Sequence, residues 1–225
     1  MKSNYPNDAS PFSFEEVVPE PEIKWRETLR VFCQNRMALF GLIMVTVFIF
    51  VGLFGSLIFP ADPFEMVATP LSEPGAGGIL GSDYMGRDVF IGIIYGTRPT
   101  LVIATTATLV TVLIGITLGA VAGFYGGIVD NILMRITEFF QVLPPLVFTM
   151  VIVAVFSTDI VVVILAIAIT TWTPEARLTR AEFLKIKERE YVMSARAIGA
   201  QNLRLIAKVI LPNAMPPLII AITLR

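Results

Sequence analysis

Residues 38–59 read ALFGLIMVTVFIFVGLFGSLIF, 22 positions without a charge. As an α-helix rising ~1.5 Å per residue, this run reaches ~33 Å, enough to cross a hydrocarbon layer of ~30 Å. A water-soluble fold would have to bury it on every side. Further apolar runs predict a second span over residues 99–124, a third over 132–156 bent at Pro144 and Pro145, and a fourth over 160–172. A fifth begins near Val209, contains Pro212, Pro216 and Pro217, and stops at Arg225. The fold class that follows is an all-α polytopic membrane protein. Only 16% of residues are charged, against about 25% in soluble domains.

Composition removes several function classes. The chain has one cysteine, Cys33, and no histidine, which excludes a disulfide framework, a His-ligated metal site and the usual imidazole base. No catalytic residue and no metal ligand is assigned. A net charge of −1 offers no field for nucleic acid. Residues 1–23 read as an acidic, solvated tail without the apolar core of a cleavable signal. Residues 24–59 form an amphipathic segment plus the first span, residues 60–98 an external loop, and residues 99–225 the core with spans two to five.

Basic residues orient the chain. Lys24, Arg26, Arg30 and Arg36 precede the first span, and Arg177, Arg180, Lys185, Lys187, Arg189, Arg196, Arg204 and Lys208 lie between the fourth and fifth. Four crossings separate the clusters, so both face one side, and the positive-inside rule makes it the cytoplasm.

Within the spans, Gly115, Gly119, Ala120 and Gly123 are spaced to admit a close neighbouring helix. Thr105, Thr106, Thr108 and Thr111 are candidates for bonds to their own backbone. The stretch YGGIVDN reads as a short turn, with Asp130 a turn residue. Arg135 and Glu138 lie one helical turn apart; they are either an interfacial anchor or an inner-gate pair. In the external loop, Asp83, Gly86, Arg87 and Asp88 read as an element ordered by mutual pairing. Gly75, Gly77 and Gly78 predict mobility there.

Residues 188–210 predict two short helices joined near Gly199, which can adopt φ > 0. Tyr191, Val192, Ala195 and Ile198 recur at helical spacing in the first; Leu203, Ile206, Ala207 and Ile210 do so in the second. Asn202 reads as the N-cap of the second. Periodicity alone fits either an amphipathic helix on lipid headgroups or a docking surface.

The segment SARAIGAQNLRLIAKVILP resembles the cytoplasmic signature of binding-protein-dependent ABC import permeases: Glu-Ala-Ala, three residues, Gly, nine residues, Ile, one residue, Leu-Pro. Ala195, Gly199, Leu211 and Pro212 match; Met193 stands at the Glu position, Ser194 at the first Ala and Val209 at the Ile. NRMALFGLIM, LGSDYMGRDVF, IYGTR and GAVAGFYGGIVDNILMR complete a resemblance to dipeptide/oligopeptide-type permeases, of the second-permease kind with an extra N-terminal span.

That resemblance implies a type I ABC importer permease fold, with about five spans of an expected six and the C-terminal part missing. It implies ATPase coupling through Glu190, Tyr191, Met193, Ser194, Ala195, Arg196, Ala197, Gly199, Ala200, Leu211 and Pro212, on helices at about 188–208. The implied partners are a homologous permease, two cytoplasmic ATPases, a periplasmic or lipid-anchored substrate-binding protein and membrane lipid. The implied place is a bacterial or archaeal cytoplasmic membrane, with the N-terminus inside. The chain lacks the phosphate-binding G-x-x-x-x-G-K-[S/T] loop, so ATP and Mg belong to the ATPases and the chain itself is no enzyme. Short peptides are the expected cargo. Nickel complexes, glutathione or modified peptides are alternatives within the family, and a secondary transporter or channel is the alternative outside it.

Overall fold

The computed structural model describes residues 25–223. The acidic tail, Arg225 and the last residue before it lie outside that range. Every named element is helical among the described residues. The helices are α1 Trp25–Gln34, α2 Arg36–Ile58, α3 Val89–Tyr125, α4 Gly127–Val142, α5 Pro145–Phe156, α6 Ile160–Thr171, α7 Thr173–Ile186, α8 Glu190–Ala197 and α9 Asn202–Thr223. Three of them are long and apolar enough to cross a membrane, and five spans result if each bent pair counts as one. The bent pairs are α4–α5, at 87°, and α6–α7, at 46°. The first bend falls where Leu143 and Pro144 turn extended, as the double proline predicts.

The chain divides into two compact units, residues 1–49 and 50–225. In the first, the Asn35 side chain caps α2 by accepting from the amides of Met37 and Ala38 at 3.1 and 3.3 Å. The outward Phe40, Leu42 and Ile43 on α2 are exposed, the pattern of a helix that faces lipid.

In the second unit, α3 begins ten residues before the expected start of the second span. Asp88 is the reason. Its carboxylate accepts from the amides of Phe90 and Ile91 at 2.8 and 3.4 Å, which satisfies two of the orphan donors of a helix N-terminus. Pro99 then sits inside the helix. The 37 residues of α3 extend ~55 Å, well beyond the apolar layer. Its first turns are level with the end of α2. Phe59 and Phe90 meet edge to face at 5.2 Å, and the Tyr95 hydroxyl donates to the Phe59 carbonyl at 3.3 Å. The surplus length therefore lies at the Tyr125 end.

The predicted close approach occurs, and α7 is the helix that makes it. Gly115, Gly119 and Gly123 are buried and face α7 backbone. A Cβ at Gly115 would stand 2.5 Å from the Glu175 Cβ, and one at Gly123 would stand 2.6 Å from the Phe183 Cβ. At Gly119 it would meet the Ala176 carbonyl oxygen directly. Three glycines at intervals of four remove every side chain from one face of α3, so the backbones touch. Among the four threonines singled out in this span, Thr111 makes a different bond from the one expected. Thr111 Oγ1 bonds across helices to Thr171 Oγ1 at 3.2 Å, and Thr149 bonds Thr170 at 3.1 Å.

Gly119→Leu forces α3 and α7 apart and lowers stability by at least about 1–3 kcal/mol. Gly41→Leu, where a Cβ meets open space, leaves the melting temperature unchanged. Thermal unfolding in detergent distinguishes them; equal melting temperatures contradict the packing.

Candidate functional site: the helix pair around Gly199

Helix α8 ends in a specific hydrogen-bonded turn. Gly199 has φ +88° and donates to the Arg196 carbonyl at 3.0 Å, while Ala200 donates to the Ala195 carbonyl at 3.1 Å. These two bonds define a Schellman motif, which needs a left-handed residue at the Gly199 position. The predicted role of Gly199 as the turn residue holds. The cap assigned to Asn202 does not: Gln201 is the N-cap, without a side-chain bond, and Asn202 is the first helical residue.

The pair is anchored from beneath. Val192, Leu205 and Ile210 are completely buried against Ala120 and Phe124 of α3, Phe183 and Ile186 of α7, and Ala214 and Leu218 of α9. Of the predicted first stripe only Val192 is fully buried, and Ile198 is 88% exposed. In the second helix, Leu205 takes the place expected for Leu203, which is 76% exposed. The cause is a π-helical segment, Leu205–Ile210, which inserts one extra residue. Buried positions then fall at 205, 210, 214 and 218, so Ile210 of the predicted stripe is buried and Ile206 packs against the cluster, while Leu203 and Ala207 face outward. No chain break separates this helix from the apolar segment, because α9 is continuous to Thr223.

Polar contacts reinforce the anchor. The Arg196 guanidinium lies over the Phe124 ring at 5.8 Å, and Lys187 Nζ donates to the Gly123 carbonyl at 3.0 Å. Glu190, Tyr191, Met193, Ser194, Arg196 and Ala197 remain exposed on α8. Ala195 and Ala200 pack against the cluster; Leu211 is half-buried and Pro212 exposed. The outward surface thus carries large apolar side chains, Tyr191, Met193, Ile198 and Leu203, on a backbone fixed by buried ones.

Asp130 is not a turn residue. The turn between α3 and α4 is the single residue Gly126, with φ +65°, and Asp130 occupies the first turn of α4. Its carboxylate accepts from Arg180 Nε and, at 2.6 Å, from Arg180 Nη2. The bidentate form gives this pair both strength and orientation. Arg177 Nη1 also donates to Gln141 Oε1 at 2.7 Å. Helix α7 is thereby fixed to α4 as well as to α3. The fifty-residue separation of Asp130 and Arg180 hides the pair from any local pattern; the only signal was an acid in an apolar neighbourhood. Arg135 and Glu138 do pair, at 3.5 Å, with 85% and 63% of their side-chain surfaces exposed. Among the described residues no hydrogen bond or ion pair joins them to another candidate residue.

The loop between α2 and α3 is ordered by backbone rather than by mutual side-chain pairing. Asp83 Oδ1 accepts from the amides of Arg87 and Met85 at 2.9 and 2.8 Å. The Arg87 amide bond is the main reason its carboxyl is held below the ordinary carboxylate range, against a smaller opposing effect of desolvation. Gly86 has φ +80°, and a Cβ there would collide with the Ala68 carbonyl oxygen. Arg87 makes no ion pair with Asp83 or Asp88 among the described residues; its guanidinium lies over the Phe64 ring at 5.3 Å. Gly75 and Gly78 take positive φ in hydrogen-bonded turns, and Gly77 packs against Ala68, Ser72 and Ser82. Gly77 and Gly78 are closely packed, Gly78 against Asp88, whereas Gly75 is exposed with open space at its Cβ position.

Comparison with known proteins agrees with this architecture. Residues 115–225 match the model of the binding-protein-dependent transport system inner membrane component, and residues 24–73 match the N-terminal TM domain of oligopeptide transport permease C. The chain is 37% identical over 211 residues to the dipeptide transport system permease protein of Haemophilus influenzae, covering 91% of this chain and 72% of that one. It is 31% identical to the oligopeptide transport system permease protein of Bacillus subtilis, covering 89% and 66%. It is 34% identical to the di/tripeptide transport system permease protein of Pseudomonas aeruginosa, covering 92% and 70%. The chain thus spans about two-thirds of the length of these relatives. It is a multi-pass membrane protein and belongs to the family of binding-protein-dependent transport system inner membrane components, the permeases of ABC importers. Within that family it is a member of the dipeptide and oligopeptide permeases.

Replacing Gly199 tests the turn. Gly199→Val places a β-branched residue at positive φ, costs about 1–2 kcal/mol and removes amide protection from Gly199 and Ala200 in hydrogen exchange. Gly199→Asn, which tolerates this conformation, retains it. Equal protection in both variants contradicts the assignment.

Proposed function

We propose that this chain is one permease of an ATP-driven importer and that the helix pair around Gly199 receives a cytoplasmic ATPase. The carrying observation is the contrast within the pair. Val192, Leu205 and Ile210 are buried, whereas Ile198 and Leu203, at its tip, are almost fully exposed. Apolar side chains held on a rigid turn are suited to filling a cleft in a partner. An exposed Met193 at the Glu position of the family signature makes this contact apolar where the signature has a carboxylate.

A mechanism follows from the anchoring. A push on the pair is transmitted through Phe124, Phe183 and Leu218 to α3, α7 and α9 together. The glycine contact and the Asp130–Arg180 pair keep α7 from sliding, so the spans tilt as a block rather than deforming individually. ATP and Mg act in the ATPases. A homologous permease completes the path, and an external binding protein supplies the cargo. Short peptides are the cargo that the names of the relatives support. The N-terminus and the helix pair face the cytoplasm, a reading supported by the two basic clusters.

The test replaces both tip residues, Ile198→Asp with Leu203→Asp, in the chain expressed with its neighbouring transport genes. We expect the ATPases to stop co-purifying and ATP-dependent peptide uptake to fall at least about tenfold, a coupling loss of about 1.4 kcal/mol, with the melting temperature unchanged. Wild-type co-purification and uptake would remove the pair from coupling.

A further inference from the structure

We propose that the groove beside Arg87 holds a zwitterionic aminophospholipid, with the phosphate on Arg87 and the amine on the Asp83 carboxylate. The groove has a volume of about 570 Å³ and runs from Arg87 along the first turns of α3 to Pro99. Its loop end is charged, with Arg87, Asp83 and Asp88 lining it; its other end is apolar, with Val89, Ile93 and Pro99. The guanidinium is the unsatisfied element. Arg87 Nε is buried without an acceptor, one face lies against Phe64, and no ion pair balances it among the described residues. A buried, unbonded cationic donor is costly unless a ligand supplies an acceptor.

The two carboxylates differ in what remains to them. Asp88 gives Oδ1 to the first amides of α3, and its Oδ2 lies against Gly78, where a Cβ would collide with it. Asp83 uses Oδ1 for two amides, and its second oxygen can still accept from a primary amine. One cation beside two carboxylates, of which Asp83 keeps the open oxygen, complements a phosphate followed by an ammonium and disfavours a headgroup with net negative charge. The apolar floor fits an acyl chain. At Gly92 and Gly96 a Cβ would meet open space, so the α3 backbone is left uncovered along the path the chain would follow. The position is also appropriate. Gly55, near the end of α2, packs on Ile94, and Ile58 is the last residue of that span. The groove therefore straddles the boundary between headgroups and hydrocarbon, where a phospholipid presents both parts.

The proposal does not depend on the transported cargo, and neither does its test. The purified protein in mild detergent is stripped of lipid and incubated with equal amounts of dioleoyl phosphatidylethanolamine, phosphatidylcholine and phosphatidylglycerol. Retained lipid is counted by native mass spectrometry. Phosphatidylethanolamine should be retained preferentially, because the choline headgroup has no N–H to donate. Arg87→Gln should reduce retention about tenfold, as expected for the loss of one charge-assisted bond. Gly96→Leu blocks the apolar half without touching Arg87, and should reduce retention even if Arg87→Gln misfolds. Phosphatidylglycerol retained as well as phosphatidylethanolamine, or unchanged retention in Gly96→Leu, overturns the proposal.

Discussion

The backbone contact between α3 and α7 is the constraint from which the remaining structure follows. A side chain at Gly119 would occupy the space of the Ala176 carbonyl oxygen, so the interface has a single separation and a single register. In a lipid environment such contact cannot rely on hydrophobic exclusion, since the acyl chains are as apolar as leucine. Shape is what remains. Once α7 is seated, Arg180 is presented to Asp130 on α4 and Phe183 to Phe124 at the end of α3. The α4–α7 tie and the Phe124–Phe183 floor beneath the helix pair are thus consequences of the glycine register.

The π-helical segment in α9 solves a geometric problem within this frame. The helix must bury Leu205 against the α8 side of the cluster and also Ala214 and Leu218 further along. A regular α-helix would rotate the stripe away, because 3.6 residues per turn leaves a phase error that one additional residue corrects. The result is an uninterrupted rod from the Gly199 turn into the apolar segment. A rod transmits force better than a joint, which gives the π segment a mechanical role.

Much of this was legible in the sequence, and the limits have physical causes. Gly115, Gly119 and Gly123 could be recognised because four-residue spacing is a local property of a helix. Gly199 could be recognised because a glycine between two polar helical stretches has few other uses. The Asp130–Arg180 pair, by contrast, depends on α4 and α7 meeting, which no window of neighbouring residues reports. The expected pairing of Arg87 with Asp83 occurs through the Arg87 amide rather than the guanidinium, and Asp88 turns to the amides of α3 instead. Backbone amides compete for carboxylates at turns and helix starts, and here they prevailed. In the second stripe Ile206 and Ile210 were found, but Leu205 was missed in favour of Leu203 because a π segment has no simple sequence signature.

The central claim is that the helix pair and the α3–α7 block form one rigid body. Spin labels at Thr117 and Lys208, both exposed, measure it by double electron–electron resonance in the assembled transporter, with and without nucleotide. A narrow Thr117–Lys208 distance that is the same in both states is expected, while the distance from Lys208 to its counterpart in the partner permease changes. A Thr117–Lys208 distance that broadens or shifts with nucleotide would contradict it.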